Sequence, residues 1–217
     1  EHCDVSPAIF VALIEQEGRT GELLDIVMSM AARDRKRYRA LASMPDISIN
    51  ISVLDLDDEE LPRRAQKILL EAAPAERWTF EVTETAPITD VAPALSILTR
   101  LRIAGFKLSV DDFGTGTSNY ERLLVAPFTE LKIDRAMVNR LDINAAEPDP
   151  MVRSGIDVGH SLQLQVVAEG VESIDQFRMV RDLGCDAAQG YLISPPVAPV
   201  QLDVALDDWR RKFEYLS

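Results

Sequence analysis

Leu108-Ser109-Val110-Asp111-Asp112-Phe113-Gly114-Thr115-Gly116 is an apolar run of strand character that ends in two adjacent carboxylates and a glycine-punctuated turn. Neighbouring carboxylates repel each other, so ionising both is costly unless a metal ion or a basic group compensates. A polar tip of this kind on an otherwise apolar strand reads as a site.

The same construction recurs on either side of it. Short apolar runs at 47–53, 79–84, 106–111, 130–133, 165–168 and 187–193 read as strands. Their ends carry, in order, Asn50 and Ser52, Glu81 and Glu84, Asp111 and Asp112, Lys132 and Asp134, Glu169 and Glu172, and Gln189. Amphipathic stretches between them predict helices at 6–18, 20–42, 58–73, 91–104, 119–124, 150–162, 173–183 and 200–215, with Asp90, Ser118 and Ser173 as N-caps. Residues 142–149 read as a loop, and the basic run Arg33-Asp34-Arg35-Lys36-Arg37 as a solvated helix face.

Strict alternation of mostly apolar strands with helices argues for a parallel sheet covered by helices. An open sheet draws its ligand site from the few strands at a switch point, whereas a closed barrel turns every strand's C-terminal end toward one mouth. Polar chemistry at every strand end favours the barrel. A complete (β/α)8 barrel has eight strands in about 250 residues. This chain has 217 residues, shows six strands and opens in a helical segment, so its first one or two strands are expected to be missing.

Composition fits one soluble domain, with 47% hydrophobic and 27% charged residues and no apolar run of membrane-spanning length or secretory signal. A cytoplasmic location is expected. The net charge of −13 argues against DNA or other nonspecific nucleic-acid binding, which needs a basic face. Cys3 and Cys185 are far apart and lack metal-binding spacing, so each reads as a packed or incidental thiol without a disulfide. His2 and His160 fit no motif. Asp112-Phe113-Gly114 also spells a kinase metal motif and Gly114-Thr115-Gly116 begins a dinucleotide fingerprint, but the partner motifs of both are absent.

Six ordered segments together resemble the EAL-domain family of cyclic di-GMP phosphodiesterases and their degenerate receptor relatives. They are Asn50-Ile51-Ser52, Glu81-Val82-Thr83-Glu84, Asp111 through Gly116, Lys132-Ile133-Asp134-Arg135, Val167-Ala168-Glu169-Gly170-Val171-Glu172 and Gln189-Gly190-Tyr191-Leu192. The resemblance implies an EAL domain over 1–217, N-terminally incomplete, with a modified (β/α)8 TIM-type barrel. It implies two divalent cations, Mg2+ or Mn2+, and hydrolysis of cyclic di-GMP to linear pGpG by a metal-activated water. Oxygen-only coordination suits these hard ions better than zinc.

Carried over residue by residue, the metal ligands would be Asn50, Glu81, Asp111, Asp112 and Glu169, with Asp111 bridging the ions. Lys132, Glu169, Asp112 and Gln189 would act catalytically. Asp134, Gln189 and Pro195 would contact substrate, Glu84 would anchor the loop 112–120, and Glu172 would brace the site. A homodimer and a linked N-terminal sensory or receiver domain are implied as well. The family's Glu-Ala-Leu strand would precede Glu1, and its glutamate is a metal ligand in the family, so the phosphodiesterase activity is expected provided the parent protein carries it; Thr117 stands for a usual tyrosine, Gly18-Arg19-Thr20 for Gly-Leu-Ile, and Ser194-Pro195-Pro196 lacks the arginine of Ser-Arg-Pro. A cyclic di-GMP receptor without turnover, or an interaction module that has lost the nucleotide, are the alternative readings.

Overall fold

Trp78-Thr79-Phe80-Glu81-Val82 is buried at every residue, so both faces of this strand must be covered. That follows from its β-branched and aromatic composition and calls for helices on one side and a packed interior on the other. The computed structural model describes residues 6–38, 45–83, 91–114, 120–142 and 149–214. Glu84, Asp90, Thr117, Ser118, Cys3 and His2 lie outside them, as does most of the expected loop 142–149. In chain order the helices are α1 Pro7–Gln16, α2 Thr20–Arg37, α3 Leu61–Leu69, α4 Val91–Ile103, α5 Tyr120–Val125, α6 Arg135–Val138, α7 Pro150–Ser161, α8 Ile174–Asp182 and α9 Leu202–Glu214. The strands are β1 Ile47–Asn50, β2 Trp78–Thr83, β3 Lys107–Phe113, β4 Glu130–Ile133, β5 Gln165–Ala168 and β6 Ala187–Ala188. They follow one another in the sheet in chain order. The chain divides into two units, Glu1–Ser109 with Tyr120–Phe128, and Val110–Asn119 with Thr129–Ser217.

In the first unit β1 and β2 pair in parallel from Ile47↔Trp78 to Asn50↔Glu81. Leu24 and Met28 of α2, Leu61 and Leu69 of α3, Leu101 of α4 and the strand residues Trp78, Phe80 and Leu108 form one buried cluster. Phe80 and Phe106 meet edge to face at 5.3 Å, and the Trp78 indole donates to the Ala73 carbonyl at 3.3 Å. β1 ends at Asn50, short of the expected 53, because Ser52 closes a capping box with Asp55 and starts a 3₁₀ turn over Val53–Asp57. The solvated reading of the basic run fails at Arg35, which is buried and donates to the Pro45 carbonyl.

At the opposite, N-terminal end of these strands, Asp46 accepts from Arg77 at 2.9 Å and from Lys107 at 2.7 Å. Burial pushes the Asp46 carboxyl up, but its hydrogen bonds to Arg77 and Lys107 outweigh that and hold it below its usual value of 3.8. A depressed carboxyl contributes stability that is present above its unfolded value and lost as pH falls through the folded one. With all three side chains a third or more exposed, solvent screening keeps the cluster's contribution to stability small. Asp46→Asn should therefore be slightly less stable in neutral denaturant titrations, and its deficit should close as pH drops below about 4.

In the second unit β4 pairs β5 in parallel from Glu130↔Gln165 to Ile133↔Ala168, and β5 pairs β6. α7 lies close against the strands because Gly155 faces Ile133 and Phe113, and Gly159 faces Val166, with no room for a Cβ. Asp149 caps α7 and Ser173 caps α8, the latter in a reciprocal box with Gln176. α9 meets α8 through Phe213, 6.3 Å from Phe177 and 5.0 Å from Trp209. β6 has two residues, where seven were expected, because the chain turns away at Gly190. α6 was not expected at all; the Asp134 carboxylate nucleates it by accepting from Ala136 N at 2.7 Å.

Candidate functional site

β3, β4 and the end of β5 deliver four charged side chains to one place in the second unit. Asp111 and Asp112 close β3, Lys132 lies in β4, and Glu169 follows directly on β5, its amide donating to the Ile133 carbonyl at 3.0 Å. Lys132 Nζ lies 2.6 Å from Glu169 Oε1 and 3.4 Å from Asp111 Oδ1. Its side chain is only 5% exposed, against 14% for Asp111 and 17% for Glu169, so these ion pairs are shielded from solvent. One buried ammonium thus holds two carboxylates in place, and low exposure makes that attraction stronger than on an open surface.

Asp111, Asp112 and Glu169 each offer a carboxylate oxygen, and all three oxygens lie within 4.8 Å of one another. Three carboxylate oxygens gathered so closely could hold a hard divalent cation. Asp112 adds a second sign of specialisation: its φ is +59°, the left-handed region that side chains rarely adopt. Its amide donates to Asp111 Oδ1 at 3.1 Å, so the strained turn and the first carboxylate are tied together. Backbone strain of this type persists where surrounding contacts enforce it, commonly at functional sites.

Asn50 and Glu81 are register partners at the C-terminal end of β1 and β2 in the first unit, where the Ile51 amide donates to the Glu81 carbonyl at 2.9 Å. Glu81 is 5% exposed, unusual for a carboxylate on a strand. Gln189 is exposed; its amide donates to the Ala168 carbonyl at 2.8 Å and its carbonyl accepts from Val171 at 3.0 Å. Pro195 is exposed, and its carbonyl accepts the Ser194 hydroxyl at 2.8 Å. Asp134 caps α6, while Glu172 is ion-paired with Arg135 at 2.7 Å, answering where these two residues are used in the fold.

Burial, with a smaller effect of Asp186, pushes the Cys185 thiol up to about 12, so it is fully protonated at neutral pH and a poor nucleophile. His160 Nε2 lies 3.2 Å from Asp186 Oδ2 on an exposed surface. Residue patterns place Arg135 in a motif without giving it a role there and pass over Asn139 and Gln176; Arg135 pairs with Glu172, and Gln176 links Asn139 to the Glu172 amide. The available signal was a cation placed just after β4, level with acidic residues just after β5.

The sequence profile of the EAL domain matches residues 1–196. The chain belongs to the EAL domain family. This EAL domain is 34% identical over 212 residues to the cyclic di-GMP phosphodiesterase PA2567 of Pseudomonas aeruginosa, covering 96% of this chain and 35% of that protein. It is 31% identical over 192 residues to the cyclic di-GMP phosphodiesterase RocR of the same organism, covering 88% of this chain and 49% of that protein. The domain therefore spans between about a third and a half of the length of these two curated relatives. Among solved structures, the PaMucR phosphodiesterase in complex with c-di-GMP superposes with a TM-score of 0.81 at 33% identity, covering 91% of this chain and 87% of that one. The α/β, TIM-type architecture expected from the alternation of strands and helices is that of these neighbours. No helix among the described residues is long and apolar enough to cross a membrane.

Proposed function

We propose that this EAL domain hydrolyses cyclic di-GMP to linear pGpG with two divalent cations, Mg2+ or Mn2+. The observation that carries this reading is the close grouping of Asp111, Asp112 and Glu169 around a lysine that bonds two of them. Asn50 and Glu81 are further metal ligands in the proposal, as the family pattern assigns them. Bound there, the cations would acidify a water and neutralise charge on the phosphodiester.

The chain's own residues divide the remaining work. Lys132 orients the Glu169 carboxylate and offers positive charge to the phosphoryl oxygens as charge builds up on them. Glu169 helps take the proton of the attacking water, a task open to a carboxylate largely shielded from solvent. Lys132 also orients that water and Gln189 supports its hydrogen-bond network, while Asp134 and Pro195 contact the nucleotide. The water oxygen becomes part of a terminal phosphate, one P–O bond to a ribose 3′ oxygen breaks, and that oxygen is protonated. Glu84 and Glu172 hold loops beside the site. Homodimerisation, a linked sensory or receiver domain and a cytoplasmic location belong to the same proposal.

The test is chromatographic. Purified chain incubated with cyclic di-GMP and Mg2+ or Mn2+ should yield pGpG, and a chelator should abolish it. Nucleotide binding without product would replace this reading with a receptor; neither product nor thermal stabilisation by the nucleotide would leave an interaction module, since a ligand of the folded state must stabilise it.

A further inference from the structure

Arg135 stands three residues after Lys132, at the first position of α6, and reaches the next strand's loop in the same direction. Lys132 pairs with Glu169 at 2.6 Å; Arg135 pairs with Glu172 at 2.7 Å. Between those two ion pairs lies Gly170, with φ +63°, and a Cβ there would collide with the Cβ, Cγ and Cδ of Arg135. The arginine stem therefore lies flat on the main chain immediately behind Glu169, and its guanidinium ends on the carboxylate two residues further along. Long cationic side chains use their stems in this way, covering a surface while the charge stays wet.

A second link acts beside it. Asn139, four residues after Arg135, accepts from Gln176 Nε2 at 3.1 Å, and Gln176 Oε1 accepts the Glu172 amide at 2.8 Å and the Ser173 amide at 3.1 Å. The opposite flank of the segment is held as well: the Val171 amide donates to Gln189 O at 3.0 Å, and Leu192 donates to Val171 O at 3.0 Å. The four residues from Glu169 to Glu172 are thus gripped between α6 and the turn that carries Gln189.

We propose that Arg135 is a positioning residue for the candidate metal site: by pressing on Gly170 and pairing with Glu172, it sets the aim of Glu169 and the seat of Gln189. The inference rests on the reading of Asp111, Asp112 and Glu169 as metal ligands. Its role is not bulk stability, because the Arg135–Glu172 pair is 59% and 43% exposed and such pairs contribute little to folding. Residues that orient a ligand instead change metal affinity, by about tenfold or more when removed.

The experiment titrates Mn2+ into the purified chain by electron paramagnetic resonance and follows amide hydrogen exchange at Val171 and Glu172. Arg135→Ala should weaken Mn2+ binding by about tenfold and speed exchange at both amides, with thermal midpoint little changed. Arg135→Lys, which keeps stem and charge, should restore most of the affinity. Glu172→Gln should weaken Mn2+ in its own right, and adding it to Arg135→Ala should produce little further loss, as coupled residues require. Should Arg135→Ala not fold, Glu172→Gln and Arg135→Lys carry the same comparison. Unchanged Mn2+ affinity and exchange in these variants would overturn the role of Arg135. A wild-type chain that binds Mn2+ with this pattern but forms no pGpG would refute turnover and leave the positioning role standing; a wild-type chain that binds no Mn2+ would overturn both.

Discussion

If the domain turns over cyclic di-GMP as proposed, Asp111→Asn should reduce metal-dependent formation of pGpG by more than about a hundredfold, beyond what is lost when a residue merely supporting a ligand is changed. The substitution keeps the shape of the side chain and an oxygen that can still accept from Asp112 N, now at 3.1 Å, and face Lys132, now at 3.4 Å. What it removes is one unit of negative charge from a donor set of three carboxylates. Lys132 keeps its shorter bond to Glu169, so the buried ammonium is not left without a counter-charge. The thermal midpoint should accordingly move by no more than a few degrees while activity collapses. Product measured by chromatography, alongside a thermal melt, separates the two effects; undiminished product would remove Asp111 from the metal site.

Gly190→Ala should be the most disruptive small substitution in the second unit. Gly190 has φ +158°, and a Cβ there would overlap the main-chain nitrogen, oxygen and carbon of Val171. The obstacle is backbone held in turn by Gln189 and Leu192, so it cannot swing aside as the end of a flexible side chain would. Backbone strain of ~1–3 kcal/mol adds to overpacking of ~1–3 kcal/mol, and for a chain of this size each kcal/mol lowers the midpoint by about 2–4 °C. The turn bearing Gln189 would shift with it, so residual folded protein should also lose activity. A midpoint within a degree or two of wild type would show that the two segments part easily.

Much of the fold and of the site is legible in the sequence. The strands at 130–133 and 165–168 end where their apolar runs end, because nothing local competes with pairing. β3 runs two residues beyond its expected end, carrying Asp111 and Asp112 within the strand. β1 and β6 are shorter than their apolar runs, since a capping serine at 52 and the turn at Gly190 redirect chain whose composition still suits a strand. α6, with four residues, is too short to show a helical period and was invisible for that reason. The carboxylates and the lysine of the site were readable as residue types at strand ends. That one ammonium would serve two of those carboxylates, and that Arg135 would lie across Gly170, depends on loop conformation that no spacing rule encodes.

The left-handed backbone at Asp112 sets fitness for folding against fitness for chemistry at a single codon. Glycine accepts φ +59° without penalty, while a side-chain-bearing residue there gives up on the order of 1 kcal/mol. Selection for heat tolerance alone would thus favour glycine at 112 and discard a carboxylate from the cluster, so a laboratory lineage screened only on melting would drift toward robust, inert domains.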